Sequence, residues 1–208
     1  MRCRRLYLHL NIVASRRNMG EIEGLLEYGA RLGVYSYFIY LFLPVGRGEL
    51  VRDDALDSRE RAELLELLLQ KQHEMNAILI PVAMPDYWAL CAPPARHTPW
   101  QTETARGAVP RRLSGGQGMV YLKPNGDVWP CPFLPIPAGN VRREPLHRIA
   151  DRLGTPGVAQ GQVDHGCTKC AYTSVCGGCK ARLMIEKRYR AEMYGESSVC
   201  PEYPPGGF

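Results

Sequence analysis

The 208-residue sequence lacks a long apolar run, a clear secretion signal and a concentrated basic stretch. No run of about 18 apolar residues is present, so we expect no membrane-spanning helix. The first 14 residues faintly resemble a signal peptide, but His9 and Asn11 interrupt the apolar part, and an alternating strand fits better. The net charge of +5 is spread over scattered basic pairs without interleaved aromatic residues, so we expect no nucleic-acid partner. The expected location is the cytoplasm.

Cysteine, in contrast, is plentiful, with 8 residues. Six of them lie from Cys131 onward, and four of these six form two Cys-x2-Cys pairs that are separated by five residues. The six are Cys131, Cys167, Cys170, Cys176, Cys179 and Cys200. Without a secretion signal, such a set indicates metal or redox chemistry rather than a disulfide framework.

The spacing of the thiols favours an iron–sulfur site. Thiolates are soft ligands that select zinc, copper(I) or iron–sulfur clusters. Zinc ribbons usually separate their two pairs by about a dozen or more residues, whereas five separate them here. Gly177 and Gly178 would let the backbone pass close to a bulky inorganic core. Zinc binding and an unligated or disulfide state are the alternatives, and six thiols for one four-ligand site indicate a second site.

Residues 1–85 are predicted to run strand–helix–strand–helix–strand. The stretch 34–43 is almost continuously β-branched, aromatic or Leu, which is typical of a strand that is buried on both faces. Strands joined through helices by short connections predict right-handed βαβ units and a parallel sheet, hence an α/β fold. The predicted strands cover residues 5–14, 34–43 and 77–83, and the predicted helices cover about 19–32 and 57–75.

Capping residues mark the N-termini of both predicted helices. Asn18 with Glu21, and Asp57 with Glu60, have the spacing of an N-terminal cap and its acidic partner. Gly33 is predicted to end the first helix.

The remaining sequence divides into a linker and a small cysteine-rich unit. Asn125-Gly126 is predicted to turn a β-hairpin that begins near Met119. Residues 86–116 are rich in Pro, Ala, Arg and Thr without a clear period. We therefore expect a first domain at 1–85, a linker at 86–116 and a second domain at 117–208, with helices at about 145–153 and 180–194.

The motifs together resemble a SPASM domain, the C-terminal extension of radical S-adenosylmethionine (SAM) enzymes that binds auxiliary 4Fe–4S clusters. The motifs, which span about residues 112–204, are Gly126-x4-Cys131, Gly139-Asn140-Val141, Cys-x2-Cys-x5-Cys-x2-Cys and the distant Cys200. Residues 1–85 are similar to the second half of the partial (β/α)6 barrel of the same enzymes. The segment 44–48 resembles the branch that contains heme synthesis proteins and cofactor-peptide maturases. The segment 128–133, with the Ala-Gly-Asn-Val that follows it, resembles the heme members.

The resemblance implies a ligand set for each cluster. Two ligands of the first auxiliary cluster correspond to Cys131 and Cys179. The ligands of the second correspond to Cys167, Cys170, Cys176 and Cys200. The opening Cys of the family is missing, because residues 111–116 read Arg-Arg-Leu-Ser-Gly-Gly. The first site could be completed by Cys91 or by a non-Cys ligand, although we interpret Cys91 first as a buried apolar thiol. Alternatively, one cluster forms from a subset of the six cysteines. The implied cofactors are one or two auxiliary 4Fe–4S clusters, with SAM only in the intact enzyme.

The family's catalytic motif, Cys-x3-Cys-x2-Cys, does not occur in this chain. The resemblance therefore implies the C-terminal half of an enzyme, which by itself does not cleave SAM. Truncation is the preferred explanation, and the alternatives are a split enzyme with a separate N-terminal half or a degenerate partner.

The implied function is the auxiliary-cluster portion of a radical SAM oxidoreductase that matures a tetrapyrrole or a peptide-derived cofactor. The cluster would accept or relay an electron. A non-catalytic iron–sulfur electron-transfer partner and a zinc-stapled interaction module are the alternatives. Arg47, in a Gly-Arg-Gly loop, is a candidate for binding a substrate or SAM carboxylate, with an ordinary loop arginine as the equal alternative.

Overall fold

A computed structural model describes residues 6–91, 119–154, 176 and 179–189. Within them, no helix is long and apolar enough to cross a membrane.

Three parallel strands form the main sheet, in the order β1-β2-β3. They are β1 (His9–Ala14), β2 (Ser36–Leu41) and β3 (Ile78–Val82). Helix α1 (Ile22–Arg31) connects β1 to β2, and helix α2 (Ser58–Glu74) connects β2 to β3. The predicted α/β class and the parallel sheet are confirmed, whereas its place in a partial (β/α)6 barrel stays a prediction.

One face of the sheet is buried beneath the helices. The register places Ile12 beside Ile39 and Ile39 beside Pro81, so these side chains share a face, and all three are buried. Leu26 of α1 and Leu64 of α2 are fully buried in the same core. Each such aliphatic side chain contributes about 1.5–3 kcal/mol through removal of apolar surface from water.

The opposite face of the sheet is open. His9, Asn11 and Val13 of β1 are exposed, and Phe38 and Tyr40 of β2 are only partly buried. Among the described residues, no strand pairs with the outer edge of β1. Parallel sheets are normally covered on both faces, so this face and edge are typical of a surface that receives further structure.

Asn18 does not cap helix α1, contrary to the prediction. A 3₁₀ turn at Met19–Glu21 precedes the helix, and Glu21 occupies its N-cap position without a side-chain hydrogen bond. Asn18 instead accepts a hydrogen bond from the Ser15 N–H at 2.9 Å and donates one to the Val13 carbonyl at 2.8 Å. The residue thus holds the turn by which the chain leaves β1, a local bond that competes with capping.

The end of α1 and the start of α2 match the predictions. Gly33 has φ +73°, and the N–H of Val34 donates to the Gly29 carbonyl at 3.0 Å, which is the Schellman pattern. At α2, Asp57 accepts from the Glu60 N–H at 2.9 Å, and Glu60 accepts from the Asp57 N–H at 2.8 Å. The predicted capping box is confirmed.

A helix occupies the first residues of the segment that the sequence assigns to a linker, and the linker itself stays a prediction. Helix α3 (Pro85–Cys91) follows β3 after Ala83, which has φ +65°. Tyr87 and Trp88 of this helix are buried in the core. Two bulky aromatic side chains that fill the core explain why the segment is ordered without a clear hydrophobic period. Residues 92–118 lie outside the described part of the chain.

The C-terminal unit begins with a small antiparallel sheet. Strands β4 (Tyr121–Leu122) and β5 (Asp127–Trp129) form the predicted hairpin, and the sequence did not reveal the third strand, β6 (Gly139–Asn140). Gly126, at the turn, has φ +90°, a conformation that suits glycine. The predicted helix is present as α4 (Leu146–Gly154), and its Ile149 packs with Val128 of β5.

The last described helix, α5 (Lys180–Tyr189), packs into the core of the main sheet. Its Ala181 and Ile185 belong, with Leu134, to the same buried apolar cluster as the strands β1 to β3. Part of the second predicted domain therefore packs in the core of the first, while Val128, Ile149 and Leu153 form a separate cluster. The predicted boundary at residue 117 lies outside the described residues.

Candidate functional site

Cys131 lies in a tight turn directly after β5. The turn closes through the Leu134 N–H, which donates to the Cys131 carbonyl at 3.1 Å. The backbone N–H groups of Phe133 and Leu134 in this turn lower the pKa of the Cys131 thiol. Backbone N–H groups directed at a sulfur atom stabilise a thiolate, and hydrogen bonds of this kind tune iron–sulfur sites.

Cys179 stands at the start of α5 and meets Cys131 from another part of the chain. Its carbonyl accepts the Leu183 N–H at 2.9 Å, so it occupies the N-cap position of the helix. Both cysteines are half-buried and pack against the main core, and a charge on Cys179 acts on Cys131. The fold thus places Cys131 near Cys179, and these are the two thiols that the SPASM resemblance assigns to the first auxiliary cluster.

The environment of Cys131 disfavours an isolated thiolate. Burial raises the pKa of the Cys131 thiol most strongly, and a charge on Cys179 raises it further. The N–H groups of Phe133 and Leu134 act in the opposite direction without reversing the shift. A bound cation would offset both the burial and the repulsion of the two thiolates, and thiolates are the ligands that iron–sulfur clusters and zinc prefer.

The complete ligand set is not contained in the described residues. Cys176 is half-buried and precedes Cys179 by three positions, whereas Cys167, Cys170 and Cys200 lie outside the described part of the chain. Within residues 6–91, 119–154, 176 and 179–189, no three His, Cys, Asp or Glu side chains form a group that could hold a metal. The six-cysteine site therefore stays a prediction.

Arg47 lies in a separate region. It is exposed near the start of the 3₁₀ segment Gly46–Asp54, which follows β2, and Gly46 has φ +56°. No hydrogen bond or ion pair joins it to Cys131, Cys176 or Cys179, the described cysteines of the set, and its role stays a prediction. Cys91 is the last residue of α3, and its side chain lies outside the described structure.

A polar network holds the hairpin that leads to Cys131. Asn140 donates to the Asn125 carbonyl at 3.1 Å and to Asp127 at 2.9 Å, and its own oxygen accepts the Arg142 N–H at 2.9 Å. The hydrogen bond from Asn140, followed by that from Asn125, lowers the pKa of Asp127. A Cβ atom on Gly126 would lie 2.8 Å from the Asn140 side-chain oxygen, so the turn also requires glycine for space.

Gly139, like Gly126, lies where a side chain would have little space. A Cβ atom there would lie 2.6 Å from Glu144 and 2.7 Å from Arg152. Arg152 donates to the Ala138 carbonyl at 3.0 Å and forms an ion pair with Glu144. The Gly139-Asn140 motif is thus explained by the packing of β6 against α4.

The sequence analysis missed a buried ion pair between Asp86 and Arg182, which joins α3 to α5. The two residues are far apart in the sequence, and no local pattern distinguishes either from an ordinary surface charge. Their pairing follows only from the docking of α5 on the main sheet.

Residues 114–180 match the SPASM family, described as an iron–sulfur cluster-binding domain. This match confirms the predicted SPASM resemblance and the predicted class of cofactor. It covers the turn of Cys131 and extends just past Cys179.

Curated relatives extend the similarity across most of the chain. The AdoMet-dependent heme synthase of Methanosarcina barkeri is 28% identical over 182 residues, which are 83% of this chain and 50% of that protein. The AdoMet-dependent heme synthase of Nitratidesulfovibrio vulgaris is 26% identical over 180 residues, which are 83% of this chain and 48% of that protein. The chain spans about half the length of these relatives.

Solved structures show the same fold. SuiB of Streptococcus suis bound to S-adenosylmethionine has a TM-score of 0.51 at 16% identity, over 93% of this chain and 45% of that chain. SuiB bound to its precursor peptide SuiA has a TM-score of 0.52 at 17% identity, over 93% of this chain and 44% of that chain.

Proposed function

We propose that this chain is the auxiliary iron–sulfur portion of a radical SAM oxidoreductase that matures a tetrapyrrole. The observation that carries the proposal is that Cys131, in the turn 131–134, lies near enough to Cys179 for their charges to interact, within a segment that matches an iron–sulfur cluster-binding domain. The chain's own part is to hold these thiolates, shield them from water and donate N–H groups to sulfur. A cluster bound there would supply a one-electron acceptor or relay.

The relatives support a tetrapyrrole rather than a peptide as substrate. Proteins named AdoMet-dependent heme synthase are 26–28% identical to this chain over 83% of its length. The structure with a precursor peptide is 17% identical and supports the fold alone. A peptide substrate is therefore the second candidate.

The open face of the sheet supports a partner that contains the SAM-cleaving part. His9, Asn11 and Val13 are exposed on that face, and the relatives are about twice as long as the part that this chain matches. We propose that the outer edge of β1 pairs with a strand of the SAM-cleaving part, either within one longer polypeptide or from a separate chain. Backbone groups of an uncovered parallel edge favour such pairing.

Anaerobic reconstitution of the full 208-residue chain with iron and sulfide tests the proposed function. We expect about four irons and four acid-labile sulfides per cluster and a broad absorbance near 400 nm. SAM cleavage by this chain alone is not expected. Metal analysis that returned about one zinc and no iron would select the zinc-stapled module instead.

The non-catalytic electron-transfer partner requires a different measurement. It predicts the same iron and sulfide content and no SAM turnover, which the proposed function also predicts for this chain alone. Sequencing of the genomic DNA on the 5′ side of the Met1 codon separates the cases. A nearby reading frame that encodes Cys-x3-Cys-x2-Cys would favour a truncated or split enzyme over a stand-alone partner.

A further inference from the structure

The open face of the main sheet carries a histidine whose ring is held in place. His9 begins β1 and is exposed, and the register places it beside Ser36 of β2. Nδ1 of His9 and Oγ of Ser36 are 2.6 Å apart, and Ser36 is buried. Among the described residues, Nε2 of His9 takes part in no hydrogen bond. When Nδ1 donates to Ser36, Nε2 keeps its lone pair and is able to bind a metal.

Three aromatic side chains cluster with this histidine. The centroid of the His9 ring lies 6.0 Å from that of Tyr35 and 6.2 Å from that of Phe38, and the rings of Tyr7 and Tyr35 are 5.1 Å apart. Tyr7 and Tyr35 are 68% and 47% exposed, and Leu8, whose carbonyl accepts the Tyr35 N–H, is also exposed. Large apolar side chains that are exposed together are typical of a binding site. Aromatic rings attract other planar rings through stacked or edge-to-face contacts.

A single histidine restricts the kind of metal that this cluster is able to bind. Within the part of the chain that the structure describes, no three His, Cys, Asp or Glu side chains form a group that could hold a metal ion. A metal bound by His9 must therefore bring most of its ligands with it. The iron of a porphyrin does so, because the macrocycle supplies four nitrogen atoms and the protein supplies an axial ligand, for which histidine is common.

The face that carries His9 continues as an apolar surface. The register and the alternation of strand residues place Val13, Phe38 and Tyr40 on the same face. Val13 is exposed, and Phe38 and Tyr40 are only partly buried. A porphyrin is a planar apolar ring, so its binding here would remove apolar surface from water on both sides. The proposed pairing of a strand with the outer edge of β1 leaves this face free, because strand pairing extends a sheet sideways.

We propose that Nε2 of His9 is an axial ligand to the iron of a porphyrin substrate, and that the neighbouring aromatic rings contact the macrocycle. Ser36 is a positioning residue, since its hydroxyl fixes the orientation of the imidazole ring. The ligation is a coordinate bond from the nitrogen lone pair to the iron, and the oxidation state of the iron does not change. This inference rests on the proposed function, to which it adds a substrate-binding residue.

Titration of the full 208-residue chain with hemin, an iron porphyrin, tests the ligation by absorbance. We expect saturable binding with a shift of the Soret band. His9→Ala should weaken this binding about tenfold or more, since even the loss of a partner that supports a metal ligand has an effect of that size. Ser36→Ala should weaken it less than His9→Ala does. His73, an exposed histidine on α2, supplies the matched control, and His73→Ala should bind hemin as the wild type does.

Metal-free protoporphyrin IX separates ligation from stacking. It offers no iron, so His9→Ala should not change its binding, whereas Tyr35→Ala should weaken the binding of both porphyrins. Equal hemin affinity of the wild type and His9→Ala would overturn the inference. So would a wild-type chain that bound hemin no more tightly than the metal-free porphyrin, and this comparison does not depend on the folding of any variant.

The acid-labile sulfide content after reconstitution tests the proposed function separately. A chain that takes up sulfide but binds hemin independently of His9 would contradict the ligation alone. A chain that takes up no sulfide but binds hemin through His9 would contradict the proposed iron–sulfur function and leave the ligation in place.

Discussion

Cys131 and Cys179 lie near enough for a charge on one to act on the other, although Cys131 follows a β-hairpin and Cys179 begins a helix. Each is half-buried against the core of the main sheet, and the charge of one raises the pKa of the other. The hairpin brings N–H donors to this meeting point, and the helix brings a buried cation one turn away. The place where the two units dock is therefore also the place where the proposed cluster would lie.

Replacement of either of these thiols should remove iron. Because a Ser hydroxyl is a harder and weaker ligand than a thiolate, Cys131→Ser and Cys179→Ser are each expected to lower the iron content of reconstituted protein by about half or more. A loss of half would indicate two clusters, and a complete loss would indicate one. The measurement is iron and acid-labile sulfide per chain.

Cys91→Ser serves as the control for that pair, because the sequence analysis interprets Cys91 as an apolar thiol rather than a ligand. Its iron content is expected to equal that of the wild type. Loss of iron in this variant would instead identify Cys91 as the missing ligand of the first cluster, whereas full iron content in both Cys131→Ser and Cys179→Ser would contradict the proposed site.

Gly29 and Gly24 lie in the same helix and should respond to alanine with opposite signs. A Cβ atom on Gly29 would lie 2.6 Å from the Tyr37 hydroxyl, which donates to the Leu26 carbonyl at 2.9 Å. We expect Gly29→Ala to lower the free energy of unfolding by about 1–3 kcal/mol through overpacking.

Gly24 is exposed, and nothing lies within 4 Å of its Cβ position. Gly24→Ala should raise the free energy of unfolding by about 0.5–1 kcal/mol, because alanine loses less backbone entropy in a helix. Urea denaturation of both variants measures the difference. Equal effects of the two substitutions would show that Tyr37 does not limit the space at Gly29.

The ion pair of Arg16 and Glu60 predicts a loss of stability in acid. Their closest atoms are 2.6 Å apart, and the hydrogen bond from Arg16 lowers the pKa of Glu60. The unfolded chain therefore binds this proton at a higher pH than the folded chain does. The stabilisation is present above the ordinary Glu pKa of about 4.3 and is lost as the pH falls through the lower folded value.

Glu60→Gln should accordingly be less stable than the wild type at neutral pH, by at most about 1 kcal/mol because the pair is partly exposed. This difference should shrink at a pH below the ordinary Glu pKa of about 4.3, as the pH falls toward the lower folded value. Urea denaturation at the two pH values checks it, with the exposed Glu66→Gln as the matched variant on the same helix. A difference that did not change with pH would contradict the assignment.

Asn140→Ala should loosen the hairpin that carries Cys131. The substitution removes the two hydrogen bonds that Asn140 donates, to Asn125 and Asp127, and the one that it accepts from Arg142. We expect a loss of about 1–2 kcal/mol in the free energy of unfolding and a lower iron content after reconstitution. The exposed Asn11→Ala is the control, and equal stability of the two variants would show that the network is not needed.

The sequence alone determined the features that depend on residues close together along the chain. The Asp57–Glu60 capping box, the stop at Gly33 and the turn at Gly126 are satisfied within a few residues, so the spacing of residue types is enough to predict them. The cysteine spacing likewise pointed to the family that the comparison found. Asn18 shows the limit, because two alternative local hydrogen bonds were available to the same side chain.

Only the tertiary structure decided which distant groups meet. The packing of α1 and α5 against the sheet decides the contact of Gly29 with Tyr37, the ion pair of Asp86 with Arg182 and the electrostatic interaction of Cys131 with Cys179. Burial and charge compensation act through space rather than along the chain, so no spacing in the sequence encodes them. For this protein, the sequence specified the type of ligand, and the packing of α5 on the sheet specified where two of those ligands stand.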